Sequence, residues 1–235
     1  MKVGIMQPYF FPYIGYWQLL NVVDKFVILD DVNYITRGYI NRNSILLNGK
    51  PYRFTIPVKK ASQNRLIMET EFNFGIGEKE KFLQTIQMAY KKAPYYKNIM
   101  PLITEIIKNP ESDVTNYIRF SLEKLMAYLH IHTEVLLSSQ IKKNQELRAE
   151  ERIIEICRKL NADTYINPCG GRKLYNQFDF EQNDMQLFFL DTKSDNIVYD
   201  QKQDFFVQNL SIIDVMMFNS VKQIQELLEE YELNE

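Results

Sequence analysis

Lys2-Val3-Gly4-Ile5-Met6, Gln7-Pro8-Tyr9-Phe10-Phe11-Pro12-Tyr13, the run Ile14 to Val23, and Lys25-Phe26-Val27-Ile28-Leu29-Asp30-Asp31 decide the fold. In order they read as a short apolar strand, a tight loop of aromatics and prolines, a buried helix, and a second apolar strand closed by two carboxylates. In an open parallel sheet, ligands bind outside the carboxyl ends of the strands. Gln7, the aromatic loop and Asp30-Asp31 are therefore expected on one rim.

Working outward, a polar loop from Val32 to Asn43 leads into Ser44–Leu47 and Tyr52–Val58, which flank Asn48-Gly49. Asn-Gly favours a type I′ hairpin turn because both residues tolerate positive φ. Tyr52, Phe54, Ile56 and Val58 alternate with Arg53, Thr55 and Pro57, so a hairpin at about 44–58 has one buried face. Helices are expected at about 78–91, 95–108 and 113–129, the last capped by Ser112 or Asp113. These form a helical insertion or subdomain at about 78–130. Beyond it, strands at 133–137, 164–166 and 186–190 alternate with a helix at 147–160, and helices at about 211–218 and 221–231 close the chain. The expectation is a single α/β domain over 1–235, with a mostly parallel sheet flanked by helices.

Composition narrows the function classes. A net charge of −2 with no dense Lys/Arg stripe argues against nucleic acid as the main partner. No apolar run reaches the roughly 18 residues of a membrane span, and a strand at the N-terminus replaces a signal peptide. Two distant cysteines, Cys157 and Cys169, fit a reducing cytoplasm. The 15 Tyr and 15 Phe suit ligands with flat faces such as sugars and bases, although most serve packing.

Chemistry concentrates in two stretches. Asn167-Pro168-Cys169-Gly170-Gly171-Arg172-Lys173-Leu174-Tyr175 follows a strand and opens a basic, helix-compatible segment, and its glycines and the helix N-terminus let backbone N–H groups approach an anion. Arg172 and Lys173 can complete a phosphate or carboxylate cradle, or they are two solvated cations after a turn. Asp30-Asp31 can hold Mg²⁺, orient a ribose hydroxyl, act as a general base, or cap the next element. Beside them Arg37 and Arg42 offer forks for phosphate or carboxylate, and Asn41 and Asn43 offer amides for a sugar. His130 and His132 read as structural for want of a third metal ligand. Cys169 reads as a turn filler unless a distant His meets it, and Cys157 reads as core.

Met6-Gln7-Pro8-Tyr9-Phe10-Phe11-Pro12-Tyr13-Ile14-Gly15-Tyr16, Asp30-Asp31-Val32 and Arg37-Gly38-Tyr39-Ile40-Asn41-Arg42-Asn43 together resemble the WbqC-like protein family. Ile166-Asn167-Pro168, Gly170-Gly171, Leu174-Tyr175 and Asn209-Leu210-Ser211-Ile212-Ile213-Asp214 extend the resemblance over nearly the whole chain. It implies a setting in bacterial O-antigen and other surface-polysaccharide gene clusters, with acyl or aminoacyl transfer to an amino sugar among the suggested reactions. The N-terminal unit is also similar to nucleotidylyltransferases with an H-x-G-H signature, which implies a Rossmann-like sheet. Here the tetrapeptide is Tyr13-Ile14-Gly15-Tyr16, and a phenol cannot carry an imidazolium's charge.

These readings converge on a cytoplasmic transferase acting on a nucleotide-linked amino sugar or a related precursor. Gln7, Tyr9, Tyr13, Gly15, Tyr16, Arg37, Asn41, Asn43, Asn167, Gly170, Gly171, Arg172, Lys173 and Tyr175 line its site, and Asp30, Asp31 and Arg42 carry the chemistry. Mg²⁺ and a nucleotide are compatible with this rim, and homo-oligomer formation stays open. The alternatives are a non-catalytic sugar-nucleotide or polysaccharide-assembly binding protein, and a hydrolase acting through Cys169.

Overall fold

Val3, Gly4 and Ile5 run down the middle of a six-stranded sheet in a computed structural model that describes residues 1–235. In chain order the elements are β1 (Lys2–Met6), α1 (Ile14–Val22), β2 (Lys25–Ile28), β3 (Arg42–Leu47) and β4 (Lys50–Thr55). Three helices follow, α2 (Ile76–Tyr90), α3 (Tyr96–Lys108) and α4 (Val114–Leu129). Then come β5 (Glu134–Leu137), α5 (Ala149–Lys159), β6 (Thr164–Pro168), α6 (Gln177–Glu181) and β7 (Gln186–Thr192). Helices α7 (Ile212–Phe218) and α8 (Val221–Leu228) precede a last strand, β8 (Tyr231–Asn234). The sheet order is β5-β2-β1-β6-β7-β8, parallel except for β8. Counted within the sheet this is 3-2-1-4-5-6, the doubly wound order, whose direction reverses between β1 and β6.

Alternation along β1 explains how both sheet faces are covered. Val3 and Ile5 point to a smaller core with Ile153, Ile156 and Cys157 of α5 and Phe180 of α6. Gly4 points the other way, where a Cβ would meet the Leu19 side chain at 3.2 Å, so its absence lets α1 settle on the sheet. That second face belongs to a larger core in which Phe26 and Ile28 join α1, the block α2–α4, α7 and α8. Helix α1 is buried on nearly all sides, and its one buried amide is fully used. Gln18 donates to the Leu227 and Glu230 carbonyls, 3.0 Å each, and accepts from the Thr192 hydroxyl at 2.7 Å.

The hairpin turn is as its residues require, with φ of 52° at Asn48 and 72° at Gly49. Asp113 caps α4 by accepting from the Asn116 amide at 2.7 Å, and His130 closes it in the left-handed region. Three expectations are corrected. The last helix stops at Leu228, and Tyr231–Asn234 pairs with β7, an antiparallel partnership that four residues cannot announce locally. Cys169–Leu174 is a short 3₁₀ turn rather than the start of an α-helix. Tyr52 is 45% exposed because it lies toward the hairpin turn, outside the aromatic cluster that buries Phe54 with Phe10 and Phe82.

Candidate functional site

The loop after β1 is built to turn its phenylalanines inward and its tyrosines outward. Phe10 and Phe11 are fully buried, and Phe11 sits at φ 47°, a region costly for a bulky residue. Buried donors hold it there: its carbonyl accepts from the Asn43 amide at 2.6 Å and the Ser211 hydroxyl at 2.9 Å. Tyr13 precedes α1 with its ring over the first turn. A Cβ on Gly15 would lie 2.6–2.7 Å from the far end of that side chain, so glycine lets the ring lie where it does. Tyr16 is fully buried and donates to the Gln7 carbonyl at 3.2 Å. The Gln7 carboxamide, at the end of β1, makes no hydrogen bond within the protein.

Hairpin register adds the charge. Arg42 lies opposite Thr55 and Ser44 opposite Arg53, so Arg42, Ser44 and Arg53 share one face while Asn43 and Phe54 point into the core. Diagonal neighbours across such a ladder stand about 7–8 Å apart, within reach of long side chains. Arg42 and Arg53 have no carboxylate within ion-pair distance. With Tyr9, Tyr13, Tyr39 and Asn209 they line a cleft of about 470 Å³ that has no acidic residue in its wall. The Arg42 guanidinium lies 5.9 Å from the Tyr39 ring, and Tyr39 packs on Tyr9 at 5.5 Å. Burial pushes the Tyr9 and Tyr13 phenols up, so both remain neutral hydrogen-bond donors. The cleft suits an anion joined to a flat, hydroxyl-bearing body. Arg53 and Asn209 are not among the candidate site residues read from the sequence, although the alternation of 52–58 places Arg53 on the wetter face and Asn209 opens one of the stretches that carry the family resemblance.

The two rim carboxylates have other partners. Asp30 accepts from the Ser139 amide at 2.9 Å and hydroxyl at 2.7 Å, tying β2 to the turn after β5. Burial pushes its carboxyl up despite these bonds. Asp31 meets Lys143 Nζ at 2.6 Å and Arg152 Nη1 at 3.5 Å, and the Lys143 side chain is fully buried. Burial would raise Asp31, but the Lys143 ammonium and Ser138 hydroxyl beside it and the charge of Arg152 outweigh it and hold the carboxyl below its usual range. Neither acid lines the tyrosine–arginine cleft: Asp30 faces Ser139, and Asp31 faces Lys143 and Arg152. No group of three or more His, Cys, Asp or Glu side chains is placed to hold a metal ion.

The double-glycine turn shares the rim with Asp30-Asp31, but β1 lies between β2 and β6, a gap of two strand spacings, about 10 Å. Asn167 is buried, accepting from Tyr165 at 3.0 Å and donating to the Pro168 carbonyl at 2.9 Å. Arg172 turns to Asp191 at 3.2 Å and covers the Phe189 ring, while Lys173 is exposed. Tyr175 packs against Tyr165 and Phe180 in the smaller core. Arg37 is exposed in the left-handed region, and Asn41 donates to the Ile56 carbonyl at 2.7 Å. Asp191 beside the Cys169 thiol, together with partial burial, raises it above its ordinary value. His130 and His132 precede β5, whose Glu134 is level with Tyr165, whereas Cys169 lies four residues further along, about 13 Å. That separation ends the hydrolase reading.

The two glycines differ in kind. A Cβ at Gly171 would fall 1.9 Å from Asn167 Nδ2, whereas one at Gly170 would meet nothing within 4 Å. Gly171→Ala is expected to cost about 1–3 kcal/mol and Gly170→Ala less than about 0.5 kcal/mol, read as shifts in the urea midpoint. Equal costs would refute this division.

Comparison with known proteins agrees with the residue pattern. The profile of the WbqC-like protein family matches residues 7–226. The chain is 25% identical over 226 residues to Uncharacterized protein Rv1507c of Mycobacterium tuberculosis (strain ATCC 25618 / H37Rv), covering 93% of each chain. No solved structure matches significantly, and no helix is long and apolar enough to cross a membrane.

Proposed function

The chain belongs to the WbqC-like protein family, and we propose that it is a transferase acting on a nucleotide-linked amino sugar or a related precursor of bacterial surface polysaccharide. The reaction in this reading is acyl or aminoacyl transfer, carried out in the cytoplasm. One observation carries it. Two arginines without carboxylate partners and three tyrosines line one cleft beside the carboxyl end of β1, where a doubly wound sheet binds its ligand. Arg42 and Arg53 would grip phosphate, and the tyrosines would face the sugar or base. Gln7, whose carboxamide is free at the end of β1, would reach a sugar hydroxyl.

Hydrogen bonds to charged groups contribute about 1.5–3 kcal/mol. Arg42→Ala and Arg53→Ala should therefore each weaken binding of a UDP- or dTDP-sugar about 10- to 100-fold, measured by calorimetry at fixed salt. Binding that survives both substitutions would place the substrate elsewhere.

A second reading, a non-catalytic sugar-nucleotide binding protein, is favoured by one specific fact: Asp30 and Asp31 are both engaged, so the cleft has no carboxylate base. Consumption separates the two. An enzyme supplied with its co-substrate depletes the nucleotide sugar, while a binding protein gains thermal stability and leaves it intact.

A further inference from the structure

A larger cleft, about 610 Å³, opens over the carboxyl ends of β2 and β5 and shares no lining residue with the tyrosine–arginine cleft. One wall is the segment from Ser138 to Arg148, and buried cations hold that segment in place. Lys143 Nζ donates to the Ser138 carbonyl. Arg152 uses all three of its nitrogens on carbonyls, those of Leu147 at 3.1 Å, Asp31 at 2.8 Å and Gln145 at 3.1 Å. The wall is therefore built rather than incidental.

Arg148 completes it. Its Nη1 donates to the Gln145 carbonyl at 2.6 Å and the Leu147 carbonyl at 3.1 Å, which fixes the plane of the guanidinium. Its Nε and Nη2 have no partner in the protein. These two N–H groups share one edge, the edge that takes a carboxylate or phosphate with two parallel hydrogen bonds. The only carboxylate in the wall, Asp31, is neutralised from within by Lys143 and Arg152. With Glu150 and Glu151 in the first turn of α5, attraction for an anion comes from Arg148 and not from the helix. Val32, Leu66 and Met68 supply an apolar side to the same cleft.

We propose that this cleft is a second ligand site, for a small molecule that carries a carboxylate or phosphate on an apolar body, with Arg148 as its anion clamp. For a transferase it is the place of the second substrate, but the site stands on its own geometry whichever reading of the first cleft holds. The anion is recognised by its two oxygens, and the apolar body lies against Leu66 and Met68.

The test is a titration of the uniformly ¹⁵N-labelled chain with sodium butanoate and, separately, with sodium phosphate at constant ionic strength. It follows the Arg148 Nε–H resonance, assigned through the side-chain carbons. A saturating shift in the millimolar range is expected with one or both. Phosphate alone names a phosphorylated ligand, and butanoate alone names a carboxylic acid. Arg148→Lys, which keeps the charge but loses the fork, should weaken the response of neighbouring resonances at least about tenfold. A linear, non-saturating shift, or unchanged affinity in Arg148→Lys, overturns the proposal. The same titration of an Arg42→Ala/Arg53→Ala chain separates the sites. A retained Arg148 response makes the second cleft independent, and a lost response assigns the anion to the first cleft and overturns the second. Should Arg148→Lys fail to fold, the wild-type titration still decides.

Discussion

Lys143→Met is expected to lower the unfolding free energy by about 3–5 kcal/mol, the cost of removing one partner from a buried ion pair. The Lys143 side chain is 0% exposed and that of Asp31 is 5% exposed, so water cannot replace the lost charge. Methionine keeps most of the side-chain volume and removes only the ammonium. Arg152, at 3.5 Å, still faces Asp31, which favours the lower end of the range. The double variant Asp31→Asn/Lys143→Met should recover part of the loss, because the orphaned charge is gone. Acid dependence gives a second signature. Because the folded Asp31 carboxyl is held below its unfolded value of about 3.9, the pair's stabilisation is present above that value. It is lost as pH falls through the lower folded one. The gap between wild type and Lys143→Met should therefore narrow below about pH 4. Urea midpoints measured from pH 7 down to pH 3 test both parts, and a gap near zero at pH 7 would refute the pair's role.

Asp214→Ala is expected to cost roughly 3 kcal/mol or more, because it strands three donors at once, two of them in buried hydrogen bonds. Asp214 is fully buried with no cation beside it and accepts from Tyr90 at 2.8 Å, Tyr199 at 2.7 Å and Gln201 at 2.8 Å. Tyr90 in turn accepts from the Leu46 amide at 3.0 Å, so the network links α7, α2 and the hairpin that carries Arg42 and Arg53. Its pH dependence runs opposite to that of Asp31. Burial raises the Asp214 carboxyl although Tyr199, Tyr90 and Gln201 donate to it. Its contribution is complete below the unfolded value of about 3.9 and declines as pH climbs through the raised folded value. Asp214→Asn removes the titration, so the stability difference between wild type and this variant should change across that window and flatten above it. A difference curve that is level across the window would show that Asp214 titrates normally.

Much of the fold was legible in short stretches. The apolar runs of β1 and β2, the helix between them, the Asn48-Gly49 turn and the Asp113 cap each depend on residues within a few positions of one another. The carboxyl rim follows from such stretches too, and Tyr9, Tyr13, Arg42 and Asn43, candidates from the sequence, all line the cleft. What short stretches could not reveal is which polar groups satisfy each other. Asp31 looked like a free acid because Lys143, 112 positions away (31 to 143), carries no local mark of burial. The sequence offers Arg172 to a phosphate cradle, and only the placement of β7 shows Asp191 beside it. Arg53 joined Arg42 only through the cross-strand register, and β8 exists only because β7 offers it an edge. Periodicity and turn chemistry are written in near neighbours. Desolvation and charge pairing depend on which distant segments the packed sheet brings together, and they separate the engaged carboxylates from the free guanidinium groups of Arg42, Arg53 and Arg148.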